Sequence, residues 1–198
     1  MNPLKRIQYN APLTLTFALI SAAVLGLSHL TSGASDRLLF MVYRAPLTDP
    51  LMYLRLFTHA IGHANLSHYL NNFIIILLVG PMLEEKYGPK AIILMMVVTA
   101  FVTGLLWVIM SPYAKLGASG IVFMLILLSS FTNIKKGHIP LTLILAVIIY
   151  LGQEIVSAAT LDNNIAYMSH IVGGICGALF GFIVNNTNTS PRSDYYED

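Results

Sequence analysis

"KLGASGIVFMLILLSS", residues 115–130, sets a serine between two glycines at the mouth of an apolar run. From Ile121 to Leu128 the run contains no polar side chain. Ser119 therefore opens a helix greasy enough to lie in lipid, with Gly117 and Gly120 on either side of it. Glycines beside a hydroxyl permit a tight turn and the close approach of another segment. Taken to residue 133, the run gives a helix of roughly 16 residues, about 24 Å long, against about 30 Å of hydrocarbon. Lys135 and Lys136 hold its inner end at one membrane surface. Its other end, with Ser119, must stop below the opposite surface. Irregular backbone at membrane depth is tolerated only where it is buried in protein or lines a water-filled cavity. The stretch predicts Ser119 on the floor of a wet cavity.

The rest of the chain agrees with a lipid setting. Of its 198 residues, 56% are apolar and only 10% charged, and the mean hydropathy is +0.72. A soluble domain carries about 25% charged residues. The chain reads as an all-α integral membrane protein. A net charge of +2, with no basic patch interleaved with aromatics, gives nucleic-acid binding no support. The single cysteine, Cys176, excludes an internal disulfide and reads as a small packing residue.

Six segments are apolar enough to span, at about 11–30, 66–83, 90–110, 118–133, 139–158 and 164–185. Turn signals separate the later ones: Ser111-Pro112, Lys135-Lys136-Gly137 and Leu161-Asp162-Asn163-Asn164. Lys5 and Arg6 precede the first run as in a signal peptide. The run exceeds the roughly 7–15 residues of such a core, so it is read as a retained span. Six spans put both termini on one side, with Lys5, Arg6, Lys86, Lys90, Lys135, Lys136 and Arg192. Arg37, Arg44, Arg55 and Lys115 fall on the other. Lys and Arg favour the cytoplasm, so both termini are expected there and the 111–117 loop outside. Residues 31–62 form a long external loop, expected to fold on or into the outer leaflet. The six-helix domain is expected over 1–185, with 186–198 a polar, disordered cytoplasmic tail.

Ionisable and amide groups inside spans are expensive and point to function. His68 and Asn72 lie four apart on one face of the second span, and Glu154 lies in the fifth. His170 opens a stripe in the sixth: Gly173, Gly177 and Gly181 follow at i+3, i+7 and i+11. Small residues so spaced let membrane helices approach closely. The short fourth helix is the natural neighbour, which would bring the His170 imidazole to the Ser119 hydroxyl. That is the nucleophile and base of covalent hydrolysis. Packing alone would also account for the glycines, and a backbone hydrogen bond for the histidine. Hydrolysis also needs donors for an oxyanion. His68, Asn72 and the backbone N–H of Ser119 are candidates, and interhelical hydrogen bonding is the plainer use of the first two. No Asp or Glu is placed to orient His170, so a dyad is expected. Phe123, one turn after Ser119, is placed to stack on the imidazole or to serve as core.

Gly117-Ala118-Ser119-Gly120, His68-Tyr69-Leu70-Asn71-Asn72 and His170-Ile171-Val172-Gly173 continuing to Gly177, in this order on these spans, resemble the rhomboid family of intramembrane serine proteases. "RLFTHAIGHANLSHYLNN" and Glu84-Glu85-Lys86-Tyr87-Gly88 resemble the approach to the family's second helix and that helix's inner end. The resemblance runs from about residue 54 to 182, and more loosely over the first span. It implies a six-helix bundle with Ser119 as nucleophile and His170 as general base and acid. His68, Asn72 and the Ser119 amide would bind the oxyanion, supported by Gly117, Gly120, Phe123, Gly173 and Gly177. Single-pass membrane proteins would be the substrates, cut within or beside their transmembrane helix, with the fifth helix as gate. No cofactor or metal is implied. Departures are Phe123 where many members have Tyr, Leu54-Arg55 where Trp-Arg is usual, and Ser169 where Ala often precedes the histidine.

Two other readings stand beside this one. His59 and His63 are i, i+4, and two transmembrane histidines would clasp a haem; the residues between them lack the Glu of a zinc-hydrolase motif. A structural tie between the long loop and the second helix is the preferred role for this pair. The chain would alternatively grip client helices without cutting them, as inactive relatives do, although both dyad members are present.

Overall fold

A computed structural model of the chain describes residues 8–131, 141, 144, 145, 148 and 166–187. Its elements are α1 (Pro12–Leu30), a π-helical turn (Asp36–Phe40), α2 (Pro50–Thr58), α3 (Leu66–Tyr87), α4 (Pro89–Met110), α5 (Ser119–Ser130) and α6 (Ala166–Thr187). Among the described residues there is no strand, only an isolated antiparallel bridge between Val42 and Lys115. Helices α1, α3 and α4 are long and apolar enough to cross a membrane, and α5 and Met168–Val184 are shorter apolar helices. The chain is an all-α integral membrane protein.

Local chemistry sets the helix starts. Pro12, Pro50 and Pro89 stand in the first turns of α1, α2 and α4, where a missing N–H costs nothing and φ is preset. Asn65 caps α3, its side chain accepting from the His68 N–H at 2.8 Å. Gly88, at φ 80°, ends α3 and leads straight into α4. That left-handed geometry suits glycine.

The first four expected spans match to within a residue at their starts, and α3 runs four residues further in, to Tyr87. The fourth is shorter than expected. It has 12 residues, about 18 Å of helix, because the chain leaves the helix at Phe131, where the backbone bonds back to Leu128 and Ser129. The expected fifth span falls mostly outside the described residues, as do Glu154 and residues 188–198. Leu141, Ile144, Leu145 and Ile148 within it are helical and exposed. Helix α6 continues through Thr187.

Helix α5 is the centre of the packing. It lies most extensively against α6, with α3 and α4 flanking it, while α1 rests on α3. Of its 12 residues only Ser119, Phe123 and Ser129 are not buried. A helix buried on every side must be apolar all round, which is why no periodicity marks this segment. The outer faces of α1, α3, α4 and α6 expose Leu19, Leu78, Leu94 and Phe182 among others, a surface suited to lipid.

One carboxylate ties α1 to this centre. Glu84, buried near the end of α3, accepts from Leu13 N–H and Thr14 N–H at 2.9 Å each and from the Thr14 hydroxyl at 2.8 Å. The first N–H groups of a helix lack intrahelical acceptors, and an anion there also meets the positive end of the helix dipole. Close seating is possible because Gly80, one turn earlier, faces Thr14: a Cβ on it would stand 2.8 Å from the Thr14 methyl. Hydrogen bonds to a charged group contribute about 1.5–3 kcal/mol each, reduced here because the freed groups regain some solvent. Glu84→Ala is therefore expected to lower unfolding stability by about 3 kcal/mol. Denaturant titration in mild detergent checks this, and an unchanged midpoint would refute the cap.

The long loop is ordered from within. Arg55 is buried and donates to the Asp49 carboxylate at 2.5 Å and to the Leu38 carbonyl at 3.2 Å. Its guanidinium also lies 4.3 Å from the Tyr43 ring centre. Asp49 in turn caps α2 through the Leu51 N–H. Tyr53, Leu54 and Phe57 of α2 remain exposed.

Candidate active site

The Gly117–Gly120 turn is shaped by what leans on it. Gly117 has φ +127°, and a Cβ there would stand 2.6 Å from His68 Cε1. Only glycine suits both the angle and the neighbour. Its N–H donates to the His59 carbonyl at 2.8 Å, and Lys115 exchanges both backbone bonds with Val42, at 2.8 and 2.9 Å. Trp107 Nε1 donates to the Tyr113 carbonyl at 2.8 Å. The long loop and the end of α4 together hold the segment before Ser119 in place.

Helix α6 reaches α5 along the glycine stripe. A Cβ on Gly173 would overlap the Gly120 carbonyl, one on Gly177 would overlap that of Met124, and one on Gly181 would stand 2.5 Å from the Phe131 ring. Gly120 is small for the same reason, with Thr103 Cγ2 at 3.0 Å and the Ser169 carbonyl at 3.4 Å from a Cβ. This contact carries His170 beside the start of α5. Its imidazole stacks on Phe123, with ring centres 4.4 Å apart and planes 3° from parallel.

Ser119, His170, His68, Asn72 and Phe123 all line one cavity of about 360 Å³. It adjoins a larger cavity of about 1050 Å³ with which it shares His68, Trp107, Lys115 and Leu116. Ser119 stands at the first position of α5, so its N–H is one of the helix's unbonded donors. A hydroxyl, an imidazole and several donors thus converge on one hollow.

A family model, the Rhomboid domain, matches residues 50–187. The chain belongs to the rhomboid family. Members of that family are usually intramembrane serine proteases. No curated protein matches the chain as a relative.

The histidines of this rhomboid have distinct surroundings. His63 is buried and bridges: Nδ1 donates to the Ile61 carbonyl at 3.1 Å, which leaves Nε2 to accept from Asn72 Nδ2 at 3.1 Å. Burial pushes its pKa down to about 4, so at neutral pH it is the uncharged acceptor that this geometry requires. His59 is held neutral more firmly, at about 3, by burial and then by the charge of Lys115. It bonds the Arg55 carbonyl through Nδ1 at 3.2 Å. The two therefore turn to different partners rather than to one shared ligand.

Sequence reasoning missed two participants, Trp107 and Lys115, which line the cavity. A cation four residues before a glycine-flanked serine was the available signal for Lys115. The tie expected between the loop histidines and the second span is present at His63, which bonds Asn72, but its hold on a candidate oxyanion donor is not legible in the sequence. His63 stands nine residues before Asn72, a spacing that no helical rule connects, because His63 lies in the non-helical segment before α3.

Proposed function

We propose that this rhomboid is an intramembrane serine endopeptidase that cuts single-pass membrane proteins within or next to their transmembrane helix. The observation that carries the reading is the convergence of Ser119, His170, His68 and Asn72 on one cavity at the start of a short, buried helix. In this reading the Ser119 hydroxyl attacks the scissile carbonyl while His170 takes its proton. The tetrahedral oxyanion is met by His68, the Asn72 amide and the Ser119 N–H. His170 then gives the proton to the leaving amine, leaving an acyl ester on Ser119. Water, activated by the same imidazole, releases the acid and restores the hydroxyl. Stacking on Phe123 keeps the imidazole plane fixed in place of an orienting carboxylate. Both termini lie in the cytoplasm and the cavity opens to the outside of a plasma or inner membrane.

The test is cleavage of a panel of single-pass substrates by purified protein in lipid, beside Ser119→Ala, with products located by mass spectrometry. Cuts in or beside the transmembrane segment that vanish in the variant are expected. A folded protein that cuts nothing would overturn the reading and favour a client-binding rhomboid.

His63 supplies a finer prediction. With its acceptor removed, the Asn72 amide is free to rotate away from the oxyanion. His63→Ala is expected to lower kcat about tenfold, less than outright loss of a donor would. His63→Gln restores an acceptor oxygen and should recover part of the rate. Equal losses in both variants would show that His63 acts on folding alone.

A further inference from the structure

The cavity beside Ser119 contains a cation that this chemistry leaves unused. Lys115 has its backbone locked to Val42 on both sides, and its side chain runs inward. Nζ is buried without a hydrogen-bond partner among the described residues. It lies 5.3 Å from the Trp107 ring centre. Lysines in membrane proteins ordinarily snorkel to water; this one lines both the Ser119 cavity and the larger one that leads to it. Among the described residues the one acid lining either cavity is Asp36; its Oδ2 accepts from Ser28 at 2.5 Å, its Oδ1 is buried without a partner, and no ion pair joins it to Lys115. His59 and His68, the titratable groups whose charge Lys115 opposes, offer it no negative charge. Desolvation brings its pKa down to about 7, and an uncompensated buried ammonium is costly. The missing partner is an anion, and both cavities lead it to the serine.

We propose that Lys115 is a specificity-determining residue that receives an acidic side chain of the substrate segment entering the Ser119 cavity. The proposal rests on reading that cavity as a peptide-binding site. The ammonium sits beside Trp107 at the wall of the hollow, and its three donors suit a carboxylate that displaces the covering side chains. Substrates carrying Asp or Glu beside the cut are then preferred over their amides, which match in shape and lack the charge.

The test uses labelled transmembrane peptides binding to the Ser119→Ala chain in phosphatidylcholine nanodiscs. A single Asp, or Asn in its place, is moved through the outer third of the peptide. At one or two positions Asp should bind about tenfold tighter than Asn, the scale of a hydrogen bond to a charged group. That ratio should fall to near one when Lys115→Met is added and persist with Lys115→Arg. Lys115→Glu, which keeps a polar group should Met fail to fold, is expected to turn the preference towards Lys-bearing peptides. No Asp preference at any position, or a preference unchanged by Met or Glu, overturns the proposal. Cleavage of the same peptides by the parent chain is read separately. A Lys115-dependent preference in a chain that cuts none of them would support this proposal while removing the protease reading.

Discussion

Ser119→Ala, His170→Ala and the double variant are expected to cleave at one common residual rate, about 10⁴-fold or more below the parent. A serine hydroxyl is a poor nucleophile until its proton is removed, and an imidazole without the serine has no acyl acceptor to serve. Each group is therefore worth almost nothing once the other is gone, and their losses do not multiply. What remains comes from the cavity and its donors, which still bind and polarise a carbonyl. The comparison needs initial rates on one substrate in liposomes, with equal unfolding midpoints as proof of fold. If the double variant fell to the product of the two single losses, the pair would be acting independently and the dyad would be wrong. If His170→Ala kept a tenth or more of the parent rate, another group would be the base. His68→Ala behaves differently, because its proposed role is to donate to an oxyanion: a loss of about 10²–10³ is expected.

What the sequence made legible and what it did not divide along a physical line. Helices α1, α3 and α4 were readable because about 20 consecutive apolar residues have few meanings other than a span. The pairing of α5 with α6 was readable because Gly173, Gly177 and Gly181 repeat on one helical face, and such a stripe needs a partner backbone. The end of α5 was not. Ser129 and Ser130 end the apolar run before Phe131, but serines also occur inside membrane helices, and no glycine or proline marks the exit that the backbone makes there. Helix α2 carried an unused signal, Asp49 followed by Pro50, which is an N-cap and first-turn proline in sequence. Partners of buried polar groups were the least accessible. Glu84 reads as a charge at the membrane surface, yet it closes the start of α1 some 70 residues earlier in the chain. Asn72 is legible by its face on α3, but its acceptor lies in the non-helical segment before that helix, whose geometry the spacing does not encode. Lys115 reads as a loop cation because loops normally face water; only the fold shows its Nζ turned away from it. Hydrophobic pattern constrains which surfaces meet, whereas hydrogen bonds depend on tenths of an ångström that only the assembled bundle defines.

Gly173→Ala and Gly177→Ala are expected to reduce cleavage by about 10² or more and to destabilise the bundle by about 1–3 kcal/mol each, the usual cost of overpacking. Each is a gain of one methyl far from any reacting atom in covalent terms. The methyl at Gly173 would meet the carbonyl of Gly120 and that at Gly177 the carbonyl of Met124. Backbone cannot rotate aside as a flexible side chain would, so α6 must translate away from α5 or turn about its axis. His170 lies three residues from Gly173 on the same face, and Ser119 adjoins Gly120. Any separation therefore opens the gap between base and nucleophile, where misplacement by about 1 Å costs on the order of 10²-fold. Gly174, the neighbour on the next face, is the control. A Cβ there would meet only Leu127 at 3.7 Å, an ordinary contact, so Gly174→Ala should keep parent activity and stability. Rates and unfolding midpoints for the three alanine variants, measured on the same substrate, decide the matter. Full activity in Gly173→Ala would mean that α5 and α6 are not held at backbone contact, and the approach that brings His170 to Ser119 would lose its physical basis.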